Sequence, residues 1–150
     1  YPGTGRHDEL GEGDGYGSTL NIPLPPGATG DVYLSAVDDL VVPVARRFDP
    51  TWLIISAGFD AHAADPITEL GLSSGDYGLV TRRLLELVPA GRRLVVLEGG
   101  YDLEALQYSS AAAMAELLGR EHHPEAPTTG GPGRGVVERV RGLWYELGLL

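Results

Sequence analysis

Residues 52–62 read WLIISAGFDAH and residues 94–102 read LVVLEGGYD. Each is a short apolar run that breaks at glycine and then presents a polar side chain. In the first, Trp52–Ala57 is apolar on both alternating faces, with Asp49-Pro50 before it and Gly58 after it. In the second, Leu94–Leu97 has the same character and ends at Glu98-Gly99-Gly100. Runs of this length without polar alternation suit buried parallel strands. Between and around them lie helical patterns. Val32, Ala36, Val37, Leu40, Val41 and Val44 share one helical face, with Asp31 placed to cap it and Pro43 placed to kink or end it. Ser73 or Ser74 can cap a second helix, which turns Tyr77, Val80, Leu84, Leu87 and Val88 inward and stops at Pro89. A third helix is expected from about Asp102 to Leu118, closed by Gly119. The order helix, strand, helix, strand, helix predicts an α/β fold with a parallel sheet and helices on both faces. Two strands are few for such a sheet, so the chain reads as part of a larger domain.

The flanks are simpler. Residues 1–30 are loop-rich, with glycine at positions 11, 13, 15 and 17 and one strand-like piece, Thr19–Leu24. Residues 120–134 are rich in Pro, Gly and Thr and read as a linker. Val136–Leu147 is an amphipathic helix that presents Val136, Val140, Leu143, Trp144 and Leu147 for docking.

Composition removes several classes of function. The 150 residues contain no cysteine, which excludes disulfides, thiolate metal sites and a cysteine nucleophile. Any metal would take Asp, Glu, His or carbonyl ligands. The net charge of −10 disfavours nucleic acid, and all 11 basic residues are arginine. No run has the length of a membrane span, and the first residues lack a signal-peptide pattern, so a cytoplasmic location is expected. The alternating glycines GEGDGYG do not make a phosphate loop, because no strand precedes them and Glu9, Glu12 and Asp14 would repel phosphate.

Chemistry is expected where ligands bind in open α/β sheets, beyond the carboxyl ends of the strands. Asp60 and Tyr101 each follow a strand end, and parallel strands point the same way, so both should emerge at one edge. A carboxylate can ligate a divalent metal, and a neutral phenol can donate to a developing oxyanion. Together they suit metal-assisted attack of water on a carbonyl. Gly58, Gly99 and Gly100 would allow close backbone approach to a slender substrate. Against this stand plainer roles. A Gly-Gly pair at a strand end is commonly only a turn, Asp65-Pro66 has the form of a turn acid, and Asp60-Ala-His62 is a weak metal spacing. His7, His122 and His123 are expected in solvent.

Four motifs in order carry a resemblance: YPGTG (1–5), GEGDGYGSTLNIPLPPG (11–27), SAGFDAHAADP (56–66) and LEGGYDLEAL (97–106). They resemble the zinc-dependent histone deacetylase family, in particular its bacterial class II-like and acetoin-utilisation-type members, from Tyr1 to about Gly119. The resemblance implies an arginase-like α/β fold and zinc-dependent hydrolysis of the amide between acetate and an amine, with acetylated lysine or a related acetylated amine as substrate. It implies that Asp60 is one zinc ligand, that Tyr101 stabilises the oxyanion, and that Tyr1, Gly99 and Gly100 line the acyl-lysine channel. His62 has no zinc role in the family pattern and is kept as a supporting residue behind the metal. The family's D-x-H and H-H motifs precede YPGTG and would lie before Tyr1. Residues 1–119 are therefore expected to be the C-terminal portion of a deacetylase-like domain, followed by a linker at 120–134 and a helix at 135–150, and inactive alone. A non-catalytic interaction module of the same fold, an acetylpolyamine amidohydrolase and a homo-oligomer stay open.

Overall fold

The computed structural model describes residues 3–150; Tyr1 lies outside them. Two strands, β1 (Leu53–Gly58) and β2 (Arg93–Gly99), pair in parallel from Leu53 opposite Arg93 to Ala57 opposite Leu97. The pairing then slips, so that Gly58 faces Gly99 and Glu98 is left as an extra residue on β2. The crossover between the strands carries α3 (Ser74–Leu85), and β2 leads into α4 (Leu103–Leu117). The fold is α/β with a parallel sheet.

One face of that sheet is packed. Ile55, Ala57 and Val95 meet Phe59, Tyr77 of α3, and Leu106 and Ala113 of α4, with the Phe59 and Tyr77 rings edge to face at 5.1 Å. The other face carries Trp52, Ile54, Leu94 and Val96, all exposed. The expectation of helices on both faces is met by this chain on one face, because no helix of the described residues reaches the second. The apolar character of both faces, which suggested complete burial, is real; the cover on the second face is not drawn from residues 3–150.

The long first helix runs as α1 (Gly30–Ala36), a π-helical stretch (Val37–Val41) and α2 (Val42–Phe48). Pro43 does not end it. The widened turn sends the Val42 N–H to the Val37 carbonyl five residues back, and the register shift accommodates a residue with no N–H. The helix stops at Asp49, which takes a left-handed conformation with φ 54°. Its first cap is Thr29 rather than Asp31. Asp31 sits inside the first turn, where its carboxylate accepts from Thr29 Oγ1 at 2.6 Å and pairs with Arg134 at 3.1 Å. Thr19–Leu24 pairs with no strand among the described residues; Leu20, Ile22 and Leu24 instead pack against the helical core.

The caps of the other helices follow the sequence closely. Ser73 and Asp76 form a reciprocal capping box at the start of α3. Asp102 caps α4 by accepting from the Ala105 N–H at 2.8 Å, and Gly119 follows its end at φ +65°. No helix of the described residues is long and apolar enough to cross a membrane.

The C-terminal helix α5 (Arg134–Glu146) docks on this chain. Val137, Val140 and Trp144 join Leu10, Val32, Ala36 and Leu40 in one core. Residues 120–133 contain no helix or strand, in keeping with their composition, but they are fastened. Thr128 Oγ1 donates to Asp76 at 2.6 Å, the Thr128 carbonyl accepts from the Asp31 N–H at 3.1 Å, and the Gly131 N–H donates to Thr29 Oγ1 at 2.8 Å. A methyl group on Gly75 would stand 2.3 Å from the Glu125 carbonyl oxygen, so this strap lies directly on the first turn of α3.

Trp144 is 1% exposed at the centre of the α5 contact. Trp144→Ala should cost about 3–5 kcal/mol in urea unfolding, or leave the chain unfolded if its total stability is smaller. A loss below about 0.5 kcal/mol would mean that α5 is not part of this core.

Candidate active site

The parallel pairing places the ends of β1 and β2 side by side. A shallow open pocket of about 320 Å3 lies there, lined by Ser56, Gly58, Asp60, Glu98, Gly99 and Tyr101. Asp60 and Tyr101, 41 positions apart in sequence, therefore share one cavity at one edge of the sheet.

Asp60 is held by its backbone. The Phe59 N–H donates to the Gly99 carbonyl at 2.8 Å, and Thr68 Oγ1 donates to the Asp60 carbonyl at 2.5 Å. The loop behind it is closed by a bridge between His62 and Leu72, with the Ala63 N–H on the Leu72 carbonyl at 2.8 Å. No hydrogen-bond donor among the described residues reaches the Asp60 carboxylate, which leaves it free toward the pocket.

The glycines are explained by that carboxylate. A Cβ on Gly58 would stand 2.7 Å from Asp60 Oδ1, and one on Gly99 would stand 3.3 Å from both Cγ and Oδ1. Gly58 and Gly99 thus leave room for the acid itself. Gly100 has a different task. Its φ of +123° favours glycine, and a Cβ there would press on Phe59 Cβ at 3.0 Å and Leu106 Cδ1 at 3.2 Å. It lets the chain turn tightly over the core, and it is not among the residues lining the pocket.

Tyr101 is 55% exposed, at the last step before α4. Its backbone is anchored by Asp65. That carboxylate is 6% exposed; Oδ2 accepts from the Tyr101 N–H at 2.7 Å and the Asp102 N–H at 3.3 Å, and Oδ1 accepts from the Ile67 N–H at 3.0 Å. Burial works to raise the Asp65 pKa, but these three amides and the nearby His62 outweigh it and hold it below the ordinary carboxylate value. Asp65 is indeed a turn acid toward Ile67. Its second oxygen crosses to the other strand end, which the Asp-Pro pair gives no means of seeing.

His62 is buried and directed away from solvent. Its Nδ1 accepts from the Ala64 N–H at 3.1 Å, which places the proton on Nε2, 2.8 Å from Glu125 Oε2. Glu125 also accepts from the Ser74 N–H at 2.8 Å at the start of α3. The ring thus ties the Asp60 loop to the strap. Burial works to raise the Glu125 pKa, and the hydrogen bonds from His62 and Ser74 overcome it, giving about 2. His122 and His123 are exposed. Two further phenols lie near Asp60. Burial raises the pKa of Tyr33 and of Tyr77, and the Asp60 charge adds to both, so each stays neutral. Neither stood out in the sequence, since an aromatic at helical spacing reads only as core.

The Histone deacetylase domain family matches residues 1–117. This chain belongs to the histone deacetylase family. It is 43% identical over 123 residues to a protein of Archaeoglobus fulgidus named a probable deacetylase, covering 79% of this chain and 34% of that one. It is 42% identical over 125 residues to the chloroplastic histone deacetylase 14 of Arabidopsis thaliana, covering 81% of this chain and 29% of that one. The crystal structure of the HDA15 HD domain superposes with a TM-score of 0.85 at 36% identity, over 99% of this chain and 41% of that one. The chain spans about a third of the length of the first two relatives.

Catalytic zinc sites take three protein ligands. Among the described residues no three His, Asp or Glu side chains are grouped to hold a metal ion. Residues 3–150 therefore do not form a complete zinc site alone.

Glu125 gives an acid-stability prediction. Its folded pKa lies below its ordinary value, so its contribution is fully present above about pH 4.5 and is lost as pH falls toward about 2. Glu125→Gln should lower the urea midpoint at pH 7 and flatten its decline between pH 5 and about 3. An unchanged acid slope would remove the His62–Glu125–Ser74 tie from the stability of the fold.

Proposed function

We propose that this chain supplies one half of a deacetylase active site, for hydrolysis of the amide in acetylated lysine or a related acetylated amine. The observation that carries the reading is the shared pocket, with the unpaired Asp60 carboxylate and the Tyr101 side chain on its wall at the carboxyl ends of two parallel strands. Asp60 would be one ligand of a zinc ion whose remaining ligands lie outside the described residues. Among the described residues no further acid or imidazole joins Asp60 to complete that ion's site.

The chemistry assigned to this chain's own residues is limited and specific. As water adds to the acetyl carbonyl, negative charge grows on its oxygen. The Tyr101 hydroxyl donates a hydrogen bond to that oxygen, and the bond strengthens as the charge develops. Gly58 and Gly99 support this by leaving the Asp60 carboxylate clear of any side chain. Channel-lining roles for Gly99, Gly100 and Tyr1 belong to the same reading.

The isolated chain should bind zinc weakly and leave an acetyl-lysine peptide intact. Joined to a preceding segment that carries D-x-H and H-H motifs, it should hydrolyse the peptide. In that longer protein Tyr101→Phe should lower kcat by ~10²–10³ with KM little changed. Robust metal-dependent turnover by the 150 residues alone would refute the half-site reading, and an unaltered kcat in Tyr101→Phe would remove the phenol from the mechanism. An inactive longer protein would favour a non-catalytic module of the same fold.

A further inference from the structure

The two strand ends that form the pocket are joined by one side chain from outside it. Asp65 leaves the loop that follows β1, five residues beyond Asp60, and crosses to the segment that follows β2. One oxygen is committed to its own loop through the Ile67 N–H. The other receives the N–H of Tyr101 and of Asp102. Asp102 is itself the cap of α4, so the same carboxylate sits at the start of that helix, where negative charge is favoured.

The tie meets Tyr101 at a sensitive point. Immediately before it, Gly100 turns at φ +123° against Phe59 and Leu106. Immediately after it comes Asp102, the N-cap of α4. The Tyr101 backbone has no strand partner of its own, because the β ladder ends at Gly58 opposite Gly99. Without Asp65, the phenol would hang from a glycine pair and a helix cap.

We infer that Asp65 is a positioning residue: it fixes Tyr101 relative to Asp60 by clamping the loop after β2 to the loop after β1. The inference rests on the deacetylase reading for its consequence in catalysis, since it is the proposed oxyanion donor that is held. Asp65 does not line the pocket and touches no reacting atom in this scheme. It acts through the main chain of Tyr101. A buried acid donating nothing and accepting three amides is suited to this, because charge-assisted hydrogen bonds are the stronger and more directional kind.

The test is amide hydrogen exchange by NMR on the full 150-residue chain. Asp65→Ala should speed exchange at Tyr101 and Asp102 by about 10–100-fold, the factor expected for losing hydrogen bonds to a charged group. Amides of the Leu53–Gly58 and Arg93–Gly99 ladder should change by less than about threefold, and the Tyr101 ring resonances should shift while those of Tyr33 and Tyr77 stay in place. Asp65→Asn, which keeps an acceptor, should fall between. Unchanged exchange at Tyr101 would overturn the inference, and so would an equal rise throughout the ladder, which would mark Asp65 as a general stability residue. Should Asp65→Ala not fold, the unsubstituted chain still decides. A scalar coupling across the hydrogen bond from the Tyr101 nitrogen to the Asp65 carboxyl carbon is expected, and its absence would sink the clamp. Neither readout uses turnover, so failure of the clamp and failure of the deacetylase reading are told apart.

Discussion

Parallel pairing of β1 with β2, ended by the slip at Ala57 and Gly58, is the constraint on which the site depends. Because the strands run the same way, both loops that carry polar chemistry leave from one edge. The slip frees Glu98 and brings Gly58 opposite Gly99, so two residues without side chains flank the Asp60 carboxylate. Any larger residue at either place would push against that acid. The small residues at the strand ends and the acid between them are one structural unit.

Around this edge the protein uses hydrogen-bonded acids as fasteners, with Asp65 and Asp76 buried and Glu125 partly exposed. Asp65 joins the loop after β1 to the loop after β2. Glu125 joins the strap to His62 and to the start of α3. Asp76 closes the capping box and also receives both the N–H and the hydroxyl of Thr128. The hydrogen bonds that Asp65 and Asp76 accept offset the cost of burying a carboxylate. Asp60 is the exception. It stands at the pocket with no donor from the described residues, and an acid left unpaired in this way is available to a ligand.

Much of this was legible from the residues. The strand ends, a serine cap at Ser73 or Ser74, a helix starting near Asp102 and closed by Gly119, and the common edge of Asp60 and Tyr101 all follow from apolar runs, capping chemistry and strand direction. The places that misled have local reasons. Pro43 forecasts a helix end, but a π-helical turn absorbs it. Asp31 has the chemistry of a cap, but it is recruited by Thr29 and Arg134. The composition of residues 120–134 is that of a tether, yet Glu125, Thr128 and Gly131 find partners some 50 to 100 positions away, and those pairings leave no periodic trace in the sequence.

The sequence by itself determined the α/β class, the family and the two side chains that share the pocket, because those depend on local pattern and on four ordered motifs. Tertiary structure decided why the glycines are there, which oxygen of Asp65 reaches Tyr101, and that His62 faces Glu125. It also left one face of the sheet bare, with Trp52, Ile54, Leu94 and Val96 in contact with solvent. These are matters of which distant groups meet, and a hydrogen bond between residues 36 or 63 positions apart is fixed by packing, not by any spacing a reader of the chain could count.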